Sequence, residues 1–359
     1  MLHARREGSK GFCNRMALVG ATAVVSFLLA WAPAALAAPE ATTPTSTAAP
    51  VAETPAQLHL KRVLAGGSPT SVADLRGMQD HVQKLTEQLM TCTVGVQVGA
   101  AQGSGVIVSK DGYVLTAAHV AGTPNKDVLF LFPDGRTLRG KTLGLDRSMD
   151  AGLMKITEGT DFPFIEMGAS EGLKVGQWCL ATGHPGGYQP DRKPVLRLGR
   201  IVFLDNIAVT TDCTLVGGDS GGPLFNMDGK VIAINSRISG PLTANMHVPV
   251  DTFKTSWARL VKAEAWGHYP GQEPFIGIRG EPNTQGASIA HVYPKSPAEK
   301  AGLKVGDVVT AIGKTELKDF AALSAAIRDK QPGDTIKLHV RRGDEKLELK
   351  LRIGKRGDS

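Results

Sequence analysis

The chain has 359 residues, of which 42% are hydrophobic, 5% aromatic and 21% charged, and its formal net charge is +7. This length is enough for two domains with cores of their own, and the apolar fraction excludes a wholly disordered chain. Forty-two glycines and few aromatic residues favour many turns and short strands over a helical bundle, and the glycines follow no collagen repeat.

Residues 1–37 have the pattern of a secretory signal peptide. An apolar run of 16 residues, Met16–Trp31, is followed by the small residues of a cleavage site at Ala35–Ala37. The run is preceded by four basic residues, Arg5, Arg6, Lys10 and Arg15. The pattern predicts export to the periplasm or beyond; the alternative is an uncleaved inner-membrane anchor, although spanning helices usually take about 20 residues. Cleavage would lower the net charge from +7 to +4. No basic block interleaved with aromatic residues follows, so nucleic acid is not an expected partner.

The next segments predict a linker and then a helix. Residues 38–56 are rich in Pro, Thr and Ala and predict a disordered linker. Residues 57–91 predict a helical segment, in which Ser71 is the N-cap of an amphipathic helix. The apolar face of this helix either packs on its own domain or forms a contact between subunits. Its members are Val72, Leu75, Met78, Val82, Leu85 and Leu89.

The rest of the chain divides into two β-rich parts. Residues 92–260 alternate short apolar strands with glycine-rich turns, which is typical of an antiparallel barrel or sandwich. Residues 261–273 contain several Gly and Pro and predict a linker. Residues 274–356 have the size and pattern of a small domain of strands and two helices.

Two acid–base candidates lie at the ends of strand-like segments. His119 ends the sequence TAAH, directly after an apolar strand whose last residues are small, a position that suits a general base. Asp150 begins the strand DAGLMKI and would accept a hydrogen bond from the histidine ring. Taken alone, His119 would more often be a structural histidine, and Asp150 a turn or cap residue.

A nucleophile candidate lies in the sequence GGDSGGPL, residues 217–224. Its glycines permit backbone conformations that a β-carbon would obstruct. The amides of Gly218 and Ser220 can then converge as an oxyanion hole, with the Ser220 hydroxyl at its edge.

These residues carry a resemblance to a known family. The chain order His119, Asp150, Ser220, with the TAAH and GDSGGPL sequences, resembles the chymotrypsin-fold serine proteases. The surrounding sequences GSGVIVSKDGYVLT, DAGLMKI and GHPGG resemble the bacterial HtrA (Deg) branch. The resemblance implies a mostly β fold with a double six-stranded antiparallel barrel, in which these three residues form the catalytic triad.

The same resemblance implies the remaining protease sites. The oxyanion hole would be formed by Gly218 and Ser220, with the Asp219 amide as an additional donor. Thr214 would lie near the base of the S1 pocket, with Leu215 nearby. Because digestive relatives that cleave after Lys or Arg carry Asp at this place, a neutral Thr214 predicts small or medium aliphatic residues at the cleaved position.

The C-terminal segment resembles a PDZ domain of the same family. Phe275, Ile276, Gly277 and Ile278 resemble its carboxylate-binding loop, and residues 292–309 resemble its most recognisable segment. Such a loop offers backbone amides to a terminal carboxylate, next to a strand that can add a peptide to the sheet. The alternative is a PDZ fold that serves only packing or assembly.

Two features need a separate account. HtrA relatives usually have Asn directly before the serine, whereas this chain has Asp219. In digestive relatives that Asp pairs with the N-terminus created by zymogen cleavage, so we expect Asp219 to find another partner or to stay solvated.

Cys92, Cys179 and Cys213 cannot all pair within one chain and have no metal-ligand spacing. We therefore expect them to serve as small buried apolar residues.

The predicted function is an exported serine endopeptidase that cleaves unfolded or damaged proteins through an acyl-enzyme, without cofactor or metal. Its PDZ domain would bind peptide C-termini, and the resemblance implies a trimer-based homo-oligomer. The alternative is a chaperone or scaffold that binds peptides with an idle protease fold.

Overall fold

The computed structural model describes residues 54–238, 243–281 and 286–356. The predicted signal peptide, residues 1–37, and most of the predicted linker, residues 38–56, lie outside these ranges. Among the described residues, no helix is both long and apolar enough to span a membrane.

Two capped helices come first, α1 (Pro55–Leu64) and α2 (Val72–Thr91). The predicted N-cap Ser71 accepts a hydrogen bond from the Asp74 amide, and the Asp74 carboxylate in turn accepts one from the Ser71 amide. The apolar face of α2 packs on its own domain through the buried Met78 and Leu89. At the first turn of α2, Val72 and Leu75 are 66% and 56% exposed. The face is therefore exposed at its first turn and covered from Met78 onwards.

Six antiparallel strands form the first barrel, with the single-turn helix α3 (Ala118–Ala121) after the third strand. They are β1 (Thr93–Val98), β2 (Ala101–Ile107), β3 (Tyr113–Ala117), β4 (Asp127–Leu131), β5 (Thr137–Asp146) and β6 (Ala151–Ile156). The ring runs β5, β4, β1, β2, β3, β6, and β6 pairs back to β5. Closure leaves this barrel without the two free edges of an open sheet. Val96, Phe130 and Met154 are among the residues that fill it.

The second barrel also has six antiparallel strands. They are β7 (Trp178–Gly183), β8 (Val195–Leu204), β9 (Val209–Thr211), β10 (Pro223–Phe225), β11 (Val231–Ile238) and β12 (Asn245–Pro249). Its closed order is β10, β11, β12, β9, β8, β7. One buried cluster contains Leu115 and Leu153 from the first barrel together with Leu180 and Ile234 from the second, so a shared core joins the two barrels.

Helix α4 (Val250–Val261) follows the second barrel and packs into the shared core through Phe253 and Leu260. A short strand, β13 (Ala265–Trp266), then pairs in parallel with β5 of the first barrel. This strand lies within the predicted linker, residues 261–273.

Residues 274–356 form a separate core around Ile289, Val309, Leu323 and Leu338. Their elements are β14 (Pro274–Phe275), β15 (Ile278–Gly280), β16 (Ala287–Val292), α5 (Pro297–Lys300), β17 (Val308–Ile312), β18 (Thr315–Glu316), α6 (Phe320–Arg328), β19 (Thr335–Arg342), β20 (Glu345–Arg352) and β21 (Gly354–Lys355). The main sheet runs β15, β16, β17, β19, β20, and β14 pairs with β21. The predicted fold class, a mostly β chain with two six-stranded barrels and a small α+β unit, is confirmed.

The three cysteines of the described residues are buried and free, as predicted. Cys179 on β7 and Cys213 after β9 lie side by side in the core of the second barrel, with their Sγ atoms 3.9 Å apart.

Candidate active site

The predicted triad residues come from both barrels. His119 lies on α3, directly after β3, and Asp150 directly precedes β6, both in the first barrel. Ser220 lies in the glycine-rich loop before β10 of the second barrel. The backbone of Asp150 is left-handed, with φ 64°, a conformation that Asp tolerates better than most side chains.

Asp150 holds His119 at three points. The Asp150 carboxylate accepts a hydrogen bond from the His119 backbone amide at 2.9 Å, and the His119 Nδ1 lies 2.9 and 3.0 Å from its two oxygens. Asp150 is only 5% exposed. Burial disfavours its charged form, yet the hydrogen bonds and charge of His119 and the Ser236 hydroxyl hold the pKa of Asp150 below its usual value. The arrangement fixes the ring with Nδ1–H towards Asp150 and leaves Nε2 free for proton transfer.

Ser236 on β11 connects Asp150 with Ser220 and was not found from the sequence. Its hydroxyl donates to Asp150 Oδ2 at 2.6 Å, and its carbonyl accepts a hydrogen bond from the Ser220 hydroxyl at 3.3 Å. The only signal in the sequence is the pair Asn235-Ser236, two polar residues that interrupt an apolar strand.

The loop before Ser220 has the backbone geometry that its glycines predicted. Gly218 has φ 95°, and a β-carbon there would collide with the Gly187 amide nitrogen and the His184 carbonyl oxygen. The Ser104 hydroxyl donates to the Gly218 carbonyl at 2.8 Å, which fixes the orientation of this peptide unit. Within the described ranges, the N–H groups of Gly218 and Ser220 have no acceptor.

The Asp219 amide differs from its predicted role. Its N–H donates to the Val216 carbonyl at 3.1 Å, so it is engaged inside the loop and is not available as an additional oxyanion donor. The Asp219 amide therefore points into the loop, where its hydrogen bond to Val216 closes the turn.

The side chain of Asp219 has found a partner inside the protein. Arg197 on β8 makes two parallel hydrogen bonds to it, Nη1 to Oδ1 at 3.2 Å and Nη2 to Oδ2 at 2.9 Å, and the Val216 amide donates to Oδ2 at 2.9 Å. Asp219 is fully buried, so the expectation of a new partner holds and the solvated alternative is wrong. Burial raises the pKa of Asp219 in spite of the Arg197 charge and the Val216 N–H.

A buried histidine supports the loop that carries Ser220 through a neighbouring asparagine. His247 on β12 is 1% exposed; its Nε2 lies 2.7 Å from the Thr211 hydroxyl and its Nδ1 2.9 Å from Asn235 Oδ1. The Asn235 amide group donates to the carbonyls of Thr182 and Asp219. Burial lowers the pKa of His247 to about 3, so the ring is neutral and Nδ1 carries the proton that Asn235 accepts.

The two predicted S1 residues have different environments. Thr214 is exposed, whereas Leu215 is 2% exposed and packs in the core of the second barrel beside Cys213. Thr214 is thus the one of the two that a substrate side chain can contact.

The predicted carboxylate-binding loop borders a groove. Gly277 has φ 78°, and a β-carbon there would collide with Ser296. The amides of Ile276 and Gly277 have no acceptor among the described residues. A cavity of about 360 Å³ lies between the loop, β15 and α6, and Phe275, Ile276, Gly277 and Ile278 all line it.

Known proteins match both parts of the chain. The trypsin-like peptidase domain family matches residues 103–234, and the PDZ domain family matches residues 274–353. A protein of Halomonas elongata named probable periplasmic serine endoprotease DegP-like is 33% identical over 72% of this chain. The chain spans 57% of that protein's length.

A shorter relative is covered more completely. The putative serine protease HhoA of Synechocystis is 32% identical, and the match covers 70% of each chain. A crystal structure of the serine endoprotease from Yersinia pestis is 24% identical, with 80% of this chain and 99% of that chain covered at a TM-score of 0.47, too low to carry an inference. From the matched domains and relatives, the chain belongs to the HtrA (Deg) family of serine proteases.

Proposed function

We propose that this chain is an exported serine endopeptidase whose triad is His119, Asp150 and Ser220. The observation that carries the proposal is the hydrogen-bonded connection from the His119 ring through Asp150 to Ser236 and on to the Ser220 hydroxyl. It brings a base, its orienting carboxylate and a serine from two barrels into one network. Acyl transfer further requires the Ser220 hydroxyl to turn from the Ser236 carbonyl to His119 Nε2, a hydrogen bond that the described residues do not make.

In the proposed cycle, the Ser220 hydroxyl leaves the Ser236 carbonyl and transfers its proton to His119 Nε2 as its oxygen attacks a peptide carbonyl. Asp150 stabilises the resulting imidazolium, and the amides of Gly218 and Ser220 stabilise the oxyanion. His119 then protonates the leaving amine, and water hydrolyses the acyl-enzyme by the same steps.

The proposed substrates are unfolded or damaged proteins. A neutral, exposed Thr214 favours aliphatic side chains at the cleaved position, and such residues are accessible in extended segments mainly after unfolding. The groove beside Phe275–Ile278 would hold peptide C-termini, because the free amides of Ile276 and Gly277 suit a carboxylate. Sequencing of the cleavage sites tests this specificity, and a set dominated by Lys and Arg would contradict it.

Export and assembly belong to the same proposal. Residues 1–37 have a signal-peptide pattern, and the Halomonas relative is named as periplasmic. The exposed Val72 and Leu75 on the first turn of α2 offer apolar surface for a homo-oligomer, which sedimentation of the wild type and of Val72→Asp would test.

The deciding experiment compares the wild type with Ser220→Ala on an unfolded protein and with a fluorophosphonate probe. The wild type should cleave and be labelled, whereas Ser220→Ala should do neither. Ser288→Ala in the PDZ domain is the matched control and should behave as wild type. Wild-type protein that neither cleaves nor is labelled would support the idle, peptide-binding alternative instead.

A further inference from the structure

The positive charge of the chain is concentrated in its PDZ domain. Residues 274–359 contain 16 basic and 11 acidic residues, a net charge of +5, whereas residues 38–273 contain 21 and 22, a net charge of −1. The excess charge that remains after the predicted cleavage therefore belongs to one small domain.

Much of this charge surrounds one cavity of about 720 Å³, which we call the basic cavity. It lies between α5, the end of β20 and β21, and no Asp or Glu of the described chain lines it. Its five cations are Lys295, Lys300, Lys350, Arg352 and Lys355. The apolar side chains of Phe275, Pro297 and Ile353 complete the wall.

The cations of the basic cavity are largely not neutralised by the protein. Lys295, Lys300, Lys350 and Arg352 form no ion pair within the part of the chain that the structure describes. The acidic residue nearest in sequence to Lys350, Glu348, is bound to Lys337 at 3.0 Å.

The strand register brings like charges together on the outer face of the same hairpin. Lys337 lies directly opposite Lys350, and Arg341 lies directly opposite Lys346. Like charges in such positions destabilise a sheet, so folding alone does not favour this arrangement.

Protection of an edge strand does not account for the whole pattern. β20 is the last strand of its sheet, and charged residues on an edge hinder aggregation. However, edge protection concerns only residues on the strand itself, and Lys295 and Lys300 come from α5 and the turn before it. The convergence of cations from separate elements points instead to an anionic ligand.

The lining indicates the chemistry of that ligand. Lysine ammonium groups are compact point charges that suit phosphate, and the apolar wall suits a ligand with an uncharged part beside its phosphate. Phe275 lines both the basic cavity and the groove for peptide C-termini, so the two are neighbours at this residue. The exposed Lys346 and Arg341 extend the basic surface beyond the cavity, where a layer of headgroups, but not one soluble phosphate, would reach them.

We propose that the basic cavity and the adjoining face of the β19–β20 hairpin bind the phosphate headgroups of an anionic phospholipid surface. The PDZ domain would then hold the protease at a membrane surface through charge, independently of its peptide groove.

Sedimentation of the full chain with phospholipid vesicles tests the proposal. The wild type should bind vesicles that contain roughly a third phosphatidylglycerol more tightly than phosphatidylcholine alone, and salt should abolish the difference. Lys350→Glu/Arg352→Glu should weaken binding about a hundredfold. Lys84→Glu/Lys262→Glu, which makes the same change of charge at exposed positions of the protease part of the chain, should weaken it by no more than about threefold.

The variants should change the charge of the basic cavity without weakening the fold. Lys350→Glu replaces a like-charged pair opposite Lys337 with an opposite-charged one, so the sheet should not be weakened. Lys300→Glu changes the other wall of the cavity and should also reduce binding. All variants share residues 1–37, so any contribution of that segment to binding is the same in each.

Several outcomes would overturn the proposal. One is equal binding of the wild type and Lys350→Glu/Arg352→Glu, and another is wild-type binding without preference for anionic vesicles. If inorganic pyrophosphate binds in a Lys350-dependent way and vesicles do not, the source is a free phosphate. If a polyglutamate peptide binds in a Lys350-dependent way and vesicles do not bind, the ligand is an acidic polypeptide.

Discussion

Arg197 and the fully buried Asp219 form a bidentate ion pair one residue before the proposed nucleophile. The relatives that activate by zymogen cleavage use a new N-terminal ammonium group at this carboxylate. Arg197 supplies the same charge from β8, within the folded chain. We therefore expect the loop that carries Gly218 and Ser220 to be held in place without an activating cleavage.

Removal of Arg197 alone should be more harmful than removal of the whole pair. Arg197→Gln leaves the buried Asp219 carboxylate without its cation, which should lower the free energy of unfolding by about 3 kcal/mol or more. Because the loop of Gly218 and Ser220 depends on this pair, kcat/KM should fall by about a hundredfold. Arg197→Gln/Asp219→Asn restores a neutral pair and should recover most of the activity. Arg136→Gln, which breaks an exposed pair with Asp134, is the control and should leave activity unchanged. Equal losses in the single and double variants would contradict this role.

The Ser236 hydroxyl should act through Asp150. Ser236→Ala removes the 2.6 Å hydrogen bond to the Asp150 carboxylate but leaves the carbonyl that accepts from Ser220. A hydrogen bond to a charged group contributes about 2 kcal/mol, so kcat should fall by about thirtyfold with little change in KM. Steady-state kinetics at several pH values would measure this, together with a shift in the acid limb of the profile. An unchanged kcat would remove Ser236 from the positioning network.

Two neighbouring glycines should respond differently to the same substitution. Gly218→Ala places a β-carbon against backbone atoms of Gly187 and His184 at φ 95°, so the peptide unit must move and activity should fall by about a hundredfold or more. A β-carbon at Gly217 meets nothing within 4 Å, so Gly217→Ala should retain activity. Similar activity of the two variants would argue against Gly218 as an oxyanion donor.

His247 should make the protein less stable in mild acid. Its pKa is lowered to about 3 by burial, whereas in the unfolded chain it has the ordinary value of 6.5. Below pH 6.5 the unfolded chain gains a proton that the folded protein does not, so the free energy of unfolding falls with pH until about pH 3. The loss from this residue between pH 7 and pH 5 should be about 2 kcal/mol.

Urea unfolding of the wild type and His247→Gln across this range measures the effect. The variant should show a shallower fall, although the buried His184, whose pKa is lowered to about 4 by burial and by Arg192, contributes in both proteins. Parallel curves would mean that His247 is not the residue responsible.

The three buried thiols should be unreactive in the folded protein. Burial raises the pKa of Cys92 to about 12, and Cys179 and Cys213 are 0% and 1% exposed, so little thiolate is accessible. In a Cys13→Ser background, a thiol reagent should find no reactive group in native protein and three after denaturation. Detection of only one after denaturation without reductant would mean that Cys179 and Cys213 are disulfide-bonded.

The sequence was most informative where function depends on short, contiguous strings. His119, Asp150 and the glycines around Ser220 could be predicted because each lies in a motif whose backbone geometry needs its neighbours. Arg197 and Ser236 could not, since each is a single residue on a strand and meets its partner only through barrel closure. The exposure of Val72 and Leu75 could not be predicted either. Periodicity identifies the apolar face of a helix but not the turn at which its contact with the rest of the protein ends.

The pairing of β13 with β5 sets a limit on how far the PDZ domain can move. Trp266 is held against β5 of the first barrel, and β14 begins at Pro274, only eight residues later. A fully extended segment of that length spans about 25–30 Å. As long as β13 stays paired, a polypeptide captured in the PDZ groove is confined to a small volume near the protease barrels. Its effective concentration there would be of millimolar order, so even a weakly bound C-terminus would present its chain repeatedly for cleavage.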